Sequence, residues 1–181
     1  MLRILDLCGG TGSWSQPYAD AGYDVVIVDP AQDTGDVRLL SAKQGRIHGI
    51  LAAPPCTVFA SSGARWWHGK GQAAVMEGLS VVDACLRVVA IQQPVWWALE
   101  NPVGRLRTYL GDPLLSFDPS DYGDPYTKRT LLWGRFRVPL RRPVQATEGS
   151  KMHRLGPSAR RAALRSVTPP GFARAFFEVN P

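Results

Sequence analysis

The tripeptide Pro54-Pro55-Cys56 places a lone thiol directly after a short apolar run, residues 50–53. The run predicts a buried strand, so Cys56 follows its carboxyl end, where open α/β sheets place their ligand sites. Two prolines stiffen the approach to the thiol, and a thiolate is the strongest side-chain nucleophile near neutral pH. Cys56 is therefore a candidate nucleophile, with a structural cysteine in a solvent loop as the alternative.

A glycine-rich turn after the first apolar run is a second candidate site. Its residues are Asp6, Leu7, Cys8, Gly9, Gly10, Thr11 and Gly12. Glycines let the backbone approach a ligand closely, and Asp29, at the end of the next apolar run, is placed to accept hydrogen bonds from ribose hydroxyls. The spacing is looser than G-x-G-x-x-G and favours S-adenosylmethionine over a pyrophosphate. Asp36 could add a contact to adenine. For both the glycine turn and Asp36, the alternative is a purely structural turn.

Glu100 ends a third apolar run, which contains Trp96 and Trp97, and it precedes Asn101. Burial beside the tryptophans would raise the pKa of Glu100 and hold it protonated. Pairing with a nearby arginine is the alternative. Further along, Lys128 or Arg129 could reach the carbonyl of a base or a phosphate.

Positive charge is concentrated in the second part of the chain. Residues 1–100 have a net charge of −2 and residues 101–181 a net charge of +8. Residues 128–165 hold eleven bases and one acid, Glu148. A polyanion is the natural partner, and a merely solvated basic surface is the alternative. The candidate contacts are Arg65 and Lys70, in a small-residue loop at 57–71 that could act as a lid, and Lys128, Arg141, Arg142, Lys151 and Arg154.

Length and composition predict one globular domain. The chain has 181 residues, of which 45% are hydrophobic and 20% charged. Three unpatterned cysteines indicate neither a disulfide framework nor a zinc cluster, and favour a reducing, cytoplasmic location. We expect no metal, no signal peptide and no transmembrane helix.

The periodicity predicts strands at 2–7, 23–28, 47–52, 95–99 and 130–133, and helices at 14–21, 72–92, 158–165 and 171–179. A strand, a glycine turn, a helix and a strand in that order form a βαβ unit of a parallel sheet. Cys85 lies on the core side of the long helix. Residues 137–156 are basic and irregular, and we interpret them as a small DNA-facing recognition insert.

Five segments, in this order, resemble the motifs of the cytosine-5 DNA methyltransferase family. The glycine turn resembles its cofactor-binding first motif, and Pro54-Pro55-Cys56 resembles its nucleophile motif. Glu100-Asn101-Pro102 is similar to its Glu-Asn-Val motif, and residues 122–129 are similar to its Tyr-Gly-x-Pro-Gln-x-Arg-x-Arg segment. Arg165-Ser166-Val167 resembles the last motif, which packs beside the cofactor turn. The match spans nearly the whole chain.

The resemblance implies a Rossmann-like α/β sheet flanked by helices, with residues 1–181 as a single S-adenosylmethionine-dependent methyltransferase domain. Cys56 would attack carbon 6 of a flipped cytosine, Glu100 would hydrogen-bond the base and Arg129 would contact its carbonyl. Pro54 and Ser166 would join the cofactor site, and Ser62 would enter the gap left in the duplex. The family's first-motif aromatic is replaced by Cys8, and its Gln by Tyr126. At the position of the second arginine of the family's Arg-x-Arg pair, this chain has Thr130, or the arginine is shifted to Arg129.

The expected substrate is therefore double-stranded DNA with a short target of roughly two to four bases, since the recognition insert is small. We expect a monomer of bacterial or phage type, with a cognate restriction endonuclease as an open partner. Two rival functions remain: methylation of cytosine in tRNA, and a catalytically silent member that only binds DNA or a partner.

Overall fold

The computed structural model describes residues 1–41, 44–150 and 165–181. The strands in these ranges are β1 (Arg3–Leu7), β2 (Asp24–Val28), β3 (Gly49–Ala52), β4 (Trp96–Pro102), β5 (Leu115–Phe117) and β6 (Thr130–Arg135). The α-helices are α1 (Gln16–Asp20), α2 (Trp67–Gln92), α3 (Leu106–Leu110) and α4 (Pro170–Val179). Short 3₁₀ turns lie at Pro30–Gln32, Val37–Leu39, Ser61–Trp66 and Pro119–Tyr122.

The strands form one sheet in the order β2-β1-β3-β4-β6-β5. Strands β1 to β4 are parallel to one another, and β6 runs antiparallel between β4 and β5. Leu7, Val28, Ala52 and Leu99 lie in one row across the parallel part. The residues that follow this row are Cys8, Asp29, Ala53 and Glu100, so the candidate segments start from a single edge of the sheet.

Helices cover both faces of the sheet, because successive strand residues point to opposite sides. Leu5, Ile50 and Leu131 pack on one side, with Val82, Cys85 and Val88 of α2. Ile4, Leu51 and Leu132 pack on the other, with Tyr18 of α1 and Phe172 and Phe176 of α4. These central strands are buried on both faces, which is why each one reads as a continuous apolar run.

The fold class predicted from the sequence is confirmed, and several boundaries differ. The strand predicted at 95–99 continues to Pro102 because β6 pairs with Glu100, Asn101 and Pro102. The helix predicted at 72–92 begins at Trp67, with a break at Gly71 (φ 70°, ψ 175°). The helix predicted at 14–21 is only Gln16–Asp20. Strand β5 was not predicted, and residues 158–164 of another predicted helix lie outside the described ranges.

Within the described ranges, no helix combines the length and the apolar character that crossing a membrane requires.

Candidate active site

The glycine turn is built over a buried carboxyl group. Asp6 is 0% exposed and accepts a hydrogen bond from Ser15 Oγ at 2.5 Å, while its Oδ1 has no partner. A Cβ on Gly9 would lie 2.5 Å from Asp6 Cγ, so only glycine fits there without a shift. Burial raises the pKa of Asp6 to about 7, against the opposing hydrogen bond from Ser15. Asp6 therefore supports the turn from beneath, and Leu7 is likewise fully buried.

Asp29 ties the turn to the end of β2. Its Oδ2 accepts a hydrogen bond from the Gly10 amide at 2.8 Å, and its Oδ1 accepts one from the Ala31 amide at 2.8 Å. The side chain of Gln32 donates to the Gly10 carbonyl. Cys8, Gly10 and Gly12 all have positive φ, so the backbone curls back towards Asp29. Thr11 is exposed at the top of the turn.

A cleft of about 380 Å³ opens beside this turn. Cys8 and Asp29 line it from the sheet edge, and Pro55 and Thr57 line it from the loop after β3. Residues Ala74, Gly78 and Val81 of α2 form the opposite wall. The cleft thus joins the predicted cofactor turn to the loop that carries Cys56.

Asp36 is also in the wall of the cleft, paired with a cation that the sequence did not single out. Arg38 Nη2 lies 2.6 Å from Asp36 Oδ2, and the same guanidinium contacts Glu77 of α2. The hydrogen bonds from Arg38 lower the pKa of Asp36, which keeps its carboxylate ionised at neutral pH. Arg38 thereby links the second side of the cleft to α2.

The cleft suits a nucleoside-containing cofactor. Val37, Pro55 and Val58 supply apolar surface for a base, and the carboxylates of Asp29 and Asp36 retain lone pairs for hydroxyl or amino groups. In the described ranges, no group of three or more His, Cys, Asp or Glu residues is arranged to hold a metal ion.

Cys56 begins a tight turn after β3 and is partly buried. Its carbonyl accepts hydrogen bonds from the amides of Phe59 and Ala60, both at 2.9 Å. Asn101 is 0% exposed and donates from Nδ2 to the Pro54 carbonyl at 2.9 Å. The strand that carries Glu100 therefore also positions the Pro-Pro-Cys segment.

Glu100 lies beside Cys56 in a partly buried position. It extends past the end of β3, whose last residue, Ala52, is opposite Leu99. Burial raises the pKa of Glu100, and the charge of Lys128 opposes this. The pKa of the Cys56 thiol is raised overall, because burial and then the charge of Glu100 outweigh the opposing charges of Arg165 and then Lys128. The thiol, the carboxyl group and two cations thus form one electrostatic cluster.

Of the two cations directly before β6, Lys128 rather than Arg129 acts on this cluster. Lys128 Nζ donates to the Val167 carbonyl at 3.1 Å. Arg129 instead pairs with Asp118 at 2.7 Å and is 55% exposed. The contact of Arg129 with a base carbonyl stays a prediction, as does that of Lys128, the alternative from the sequence.

Residues 165–168 connect three parts of the site. Arg165 Nη2 donates to Ser62 Oγ at 2.8 Å, Val167 accepts from Lys128, and the Thr168 amide donates to Ser13 Oγ at 2.8 Å. Ser13 directly follows the glycine turn, so this segment lies beside the turn, as the resemblance implied. Ser166 is exposed within it.

The first half of the predicted lid is anchored to the loop after β4. Ala60 forms an antiparallel bridge with Gly104, and the Ser61 amide donates to the Val103 carbonyl at 2.8 Å. Arg105 donates to the Val58 carbonyl at 2.7 Å and stacks 4.7 Å from the ring centroid of Trp67. Motion of the whole 57–71 loop stays a prediction, with these contacts as its fixed end.

The other candidate DNA contacts are dispersed. Arg65 stacks 5.1 Å from the Trp66 ring centroid, and Lys70 donates to the Thr57 carbonyl. Arg141 donates to the Ser116 carbonyl of β5 at 2.9 Å, and Arg142 lies 3.6 Å from Glu178 of α4. These four are exposed. Lys151 and Arg154 lie outside the described ranges, as does the end of the predicted insert 137–156.

Several residues of this site carried no role of their own in the sequence-based prediction. Arg165 and Asn101 stood inside recognised segments, but only the fold shows their contacts. Arg38, Glu77 and Arg105 had no local pattern at all. Apart from the Arg38–Asp36 pair, their partners are 38 to 103 residues away in the chain, and no spacing rule reveals contacts at such separations.

Comparison with known proteins identifies the fold. No family model matches the chain, and no curated protein matches it in sequence. Among solved structures, it is similar to a proposed DNA modification methyltransferase encoded within an E. coli prophage, with a TM-score of 0.57 and 21% sequence identity. The match covers 80% of this chain and 53% of the other, so this chain spans about half the length of that protein. The chain therefore has the Rossmann-like α/β fold of that methyltransferase.

Proposed function

We propose that this protein is a DNA methyltransferase that modifies carbon 5 of cytosine, with Cys56 as the nucleophile and S-adenosylmethionine as the methyl donor. The observation that carries the proposal is the cluster of Cys56, Glu100 and Lys128, together with the nucleoside-sized cleft that Pro55 and Thr57, on either side of Cys56, line. The similar structure is described as acting on DNA, and the net charge of +6 suits a polyanionic substrate.

Cys56 and Glu100 would act on opposite sides of the same base. The Cys56 thiolate forms a bond to carbon 6 of a cytosine flipped out of the duplex, which makes carbon 5 electron-rich. A raised pKa favours the protonated form of Glu100, which can donate a hydrogen bond to the ring nitrogen as negative charge develops on the base. The charge of Lys128 favours the thiolate of Cys56 and limits the rise in the pKa of Glu100.

S-adenosylmethionine would supply the methyl group to carbon 5 when bound. Asp29 and Asp36 would hold the hydroxyl and amino groups of its nucleoside, and Pro55 and Val58 would contact its adenine base. A proton acceptor then removes the carbon 5 proton, and the bond between Cys56 Sγ and carbon 6 breaks to release the thiolate. No net change occurs in the enzyme.

Bisulfite sequencing of unmethylated duplex DNA, incubated with the protein and S-adenosylmethionine, tests this proposal. We expect protected cytosines within a short sequence, and none with Cys56→Ala. Cys85→Ala is the matched control, because Cys85 is a fully buried thiol of the core. Methylation that survives Cys56→Ala would refute the nucleophile. Transfer of a labelled methyl group to tRNA but not to DNA would favour the RNA alternative.

A further inference from the structure

Two cations face Cys56, and they differ in what else they contact. The charged groups around the thiol are Glu100 on β4, Lys128 before β6 and Arg165 on the C-terminal segment. Lys128 acts on Glu100 as well as on Cys56, so its charge is shared between an acid and a thiol. Among the described groups, Arg165 is the cation that acts on the thiol without also acting on Glu100.

Arg165 also contacts the lid loop. Its Nη2 donates to Ser62 Oγ at 2.8 Å, and Ser62 is the second residue of the 3₁₀ turn Ser61–Trp66. Ser62 is exposed, while Arg165 is partly buried between the loop and the thiol. The position of the guanidinium beside Cys56 therefore depends on the position of the loop.

The opposite end of this segment is fixed. Val167 accepts a hydrogen bond from Lys128 Nζ, and the Thr168 amide donates to Ser13 Oγ beside the glycine turn. Pro169 follows in a buried position, directly before α4. Arg165 thus extends from an anchored backbone to the predicted lid loop, and the hydrogen bond to Ser62 joins the two.

We propose that Arg165 is a positioning residue that couples the lid loop to the nucleophile. Its hydrogen bond to Ser62 holds the guanidinium next to Cys56, where the positive charge stabilises the thiolate. When the loop leaves this position, the guanidinium is released and a smaller fraction of the thiol is ionised. The coupling would make the thiol more reactive in the state in which the loop covers the site than in the state in which it does not. This inference deepens the proposed function and rests on Cys56 being its nucleophile.

The test is the pH dependence of alkylation of Cys56 by iodoacetamide, without DNA or cofactor, followed by mass spectrometry of the peptide that contains Cys56. Only the thiolate reacts, so the midpoint of the profile reports the apparent pKa of the thiol. We expect Arg165→Gln to move the midpoint up by about one pH unit, which slows alkylation about tenfold below the midpoint. Arg165→Lys should retain most of the wild-type profile, because it keeps the charge.

Two further variants separate the charge from the loop contact. Ser62→Ala keeps Arg165 and removes its tether, so the midpoint should rise by less than in Arg165→Gln. Arg174→Gln removes one exposed arginine of α4 and should leave the profile unchanged. A wild-type profile in either Arg165→Gln or Ser62→Ala would overturn the proposal. If Arg165→Gln fails to fold, an unchanged Ser62→Ala profile overturns it alone.

The outcome is independent of whether the protein methylates DNA. A shifted alkylation profile together with no methylated cytosine would leave the coupling intact and remove the proposed function. Methylated cytosine together with unchanged alkylation profiles would support the proposed function and overturn the coupling.

Discussion

The buried carboxyl group under the glycine turn should make the stability of this protein depend on pH in an unusual direction. Asp6 has a pKa of about 7 in the folded chain, compared with 3.8 for a free aspartate. Below pH 4 it is protonated in both the folded and unfolded states. Between pH 4 and pH 7 the unfolded chain ionises and the folded chain does not, so the contribution of Asp6 to the free energy of unfolding falls as pH rises.

The magnitude follows from the shift. About three pKa units at about 1.4 kcal/mol each give a loss of about 4 kcal/mol across this window. Asp6→Asn keeps the shape that Gly9 and Ser15 require and cannot ionise. The difference in unfolding free energy between Asp6→Asn and wild type should therefore grow in favour of the variant by about 4 kcal/mol from pH 4 to above pH 7.

Urea unfolding of both proteins at one-unit steps from pH 4 to pH 8 measures this difference, and other titrating groups cancel in the comparison. Ser15→Ala is the companion variant. It removes the hydrogen bond that lowers the pKa of Asp6 in the folded chain, so the upper end of the window should move to higher pH while its lower end stays near pH 4. A difference between Asp6→Asn and wild type that does not vary with pH, or that grows in favour of wild type, would refute the reasoning.

Two further predictions concern the loops around the thiol. Gly104→Ala places a Cβ against the Phe59 carbonyl oxygen and should break the Ala60–Gly104 bridge. Trypsin should then cleave after Arg65 or Lys70 several-fold faster than in wild type. Unchanged cleavage would show that the bridge does not anchor the loop. Glu100→Gln removes a carboxyl group whose ionised form raises the pKa of Cys56, so alkylation should speed up at alkaline pH, where Glu100 is ionised in wild type, while methylation is lost. Slower alkylation there would contradict the electrostatic cluster.

The sequence predicted the parallel core of the fold well. Strands β1, β3 and β4 are buried on both faces, so each is a continuous apolar run that is visible without any partner. The long helix α2 was visible from the spacing of Val75, Val82 and their neighbours. Strand β5 has only three residues between prolines, and its existence depends on pairing with β6, a contact made from outside its own sequence.

The candidate site, like the fold, could be predicted from the sequence only in part. Cys56 follows β3, and Glu100 lies in β4 directly after the last residue paired with β3, so their meeting at one edge follows from parallel topology alone. The choice between Lys128 and Arg129 as the cation of the cluster could not be predicted, because it depends on which side chain Asp118 holds. Arg165 reaches Ser62 across 103 residues, and no periodicity or turn rule encodes that contact.

The central claim is that the thiol of Cys56 bonds covalently to cytosine, and trapping on DNA tests it most directly. Duplex DNA in which 5-fluorocytosine replaces cytosine carries no removable proton at carbon 5, so the bond to carbon 6 cannot be broken after methyl transfer. Incubation with wild-type protein and S-adenosylmethionine should give a denaturation-resistant complex whose mass equals protein plus methylated DNA, with the adduct on the peptide that contains Cys56. Cys56→Ser should give none. The absence of a complex with wild-type protein, or its persistence with Cys56→Ser, would contradict the account.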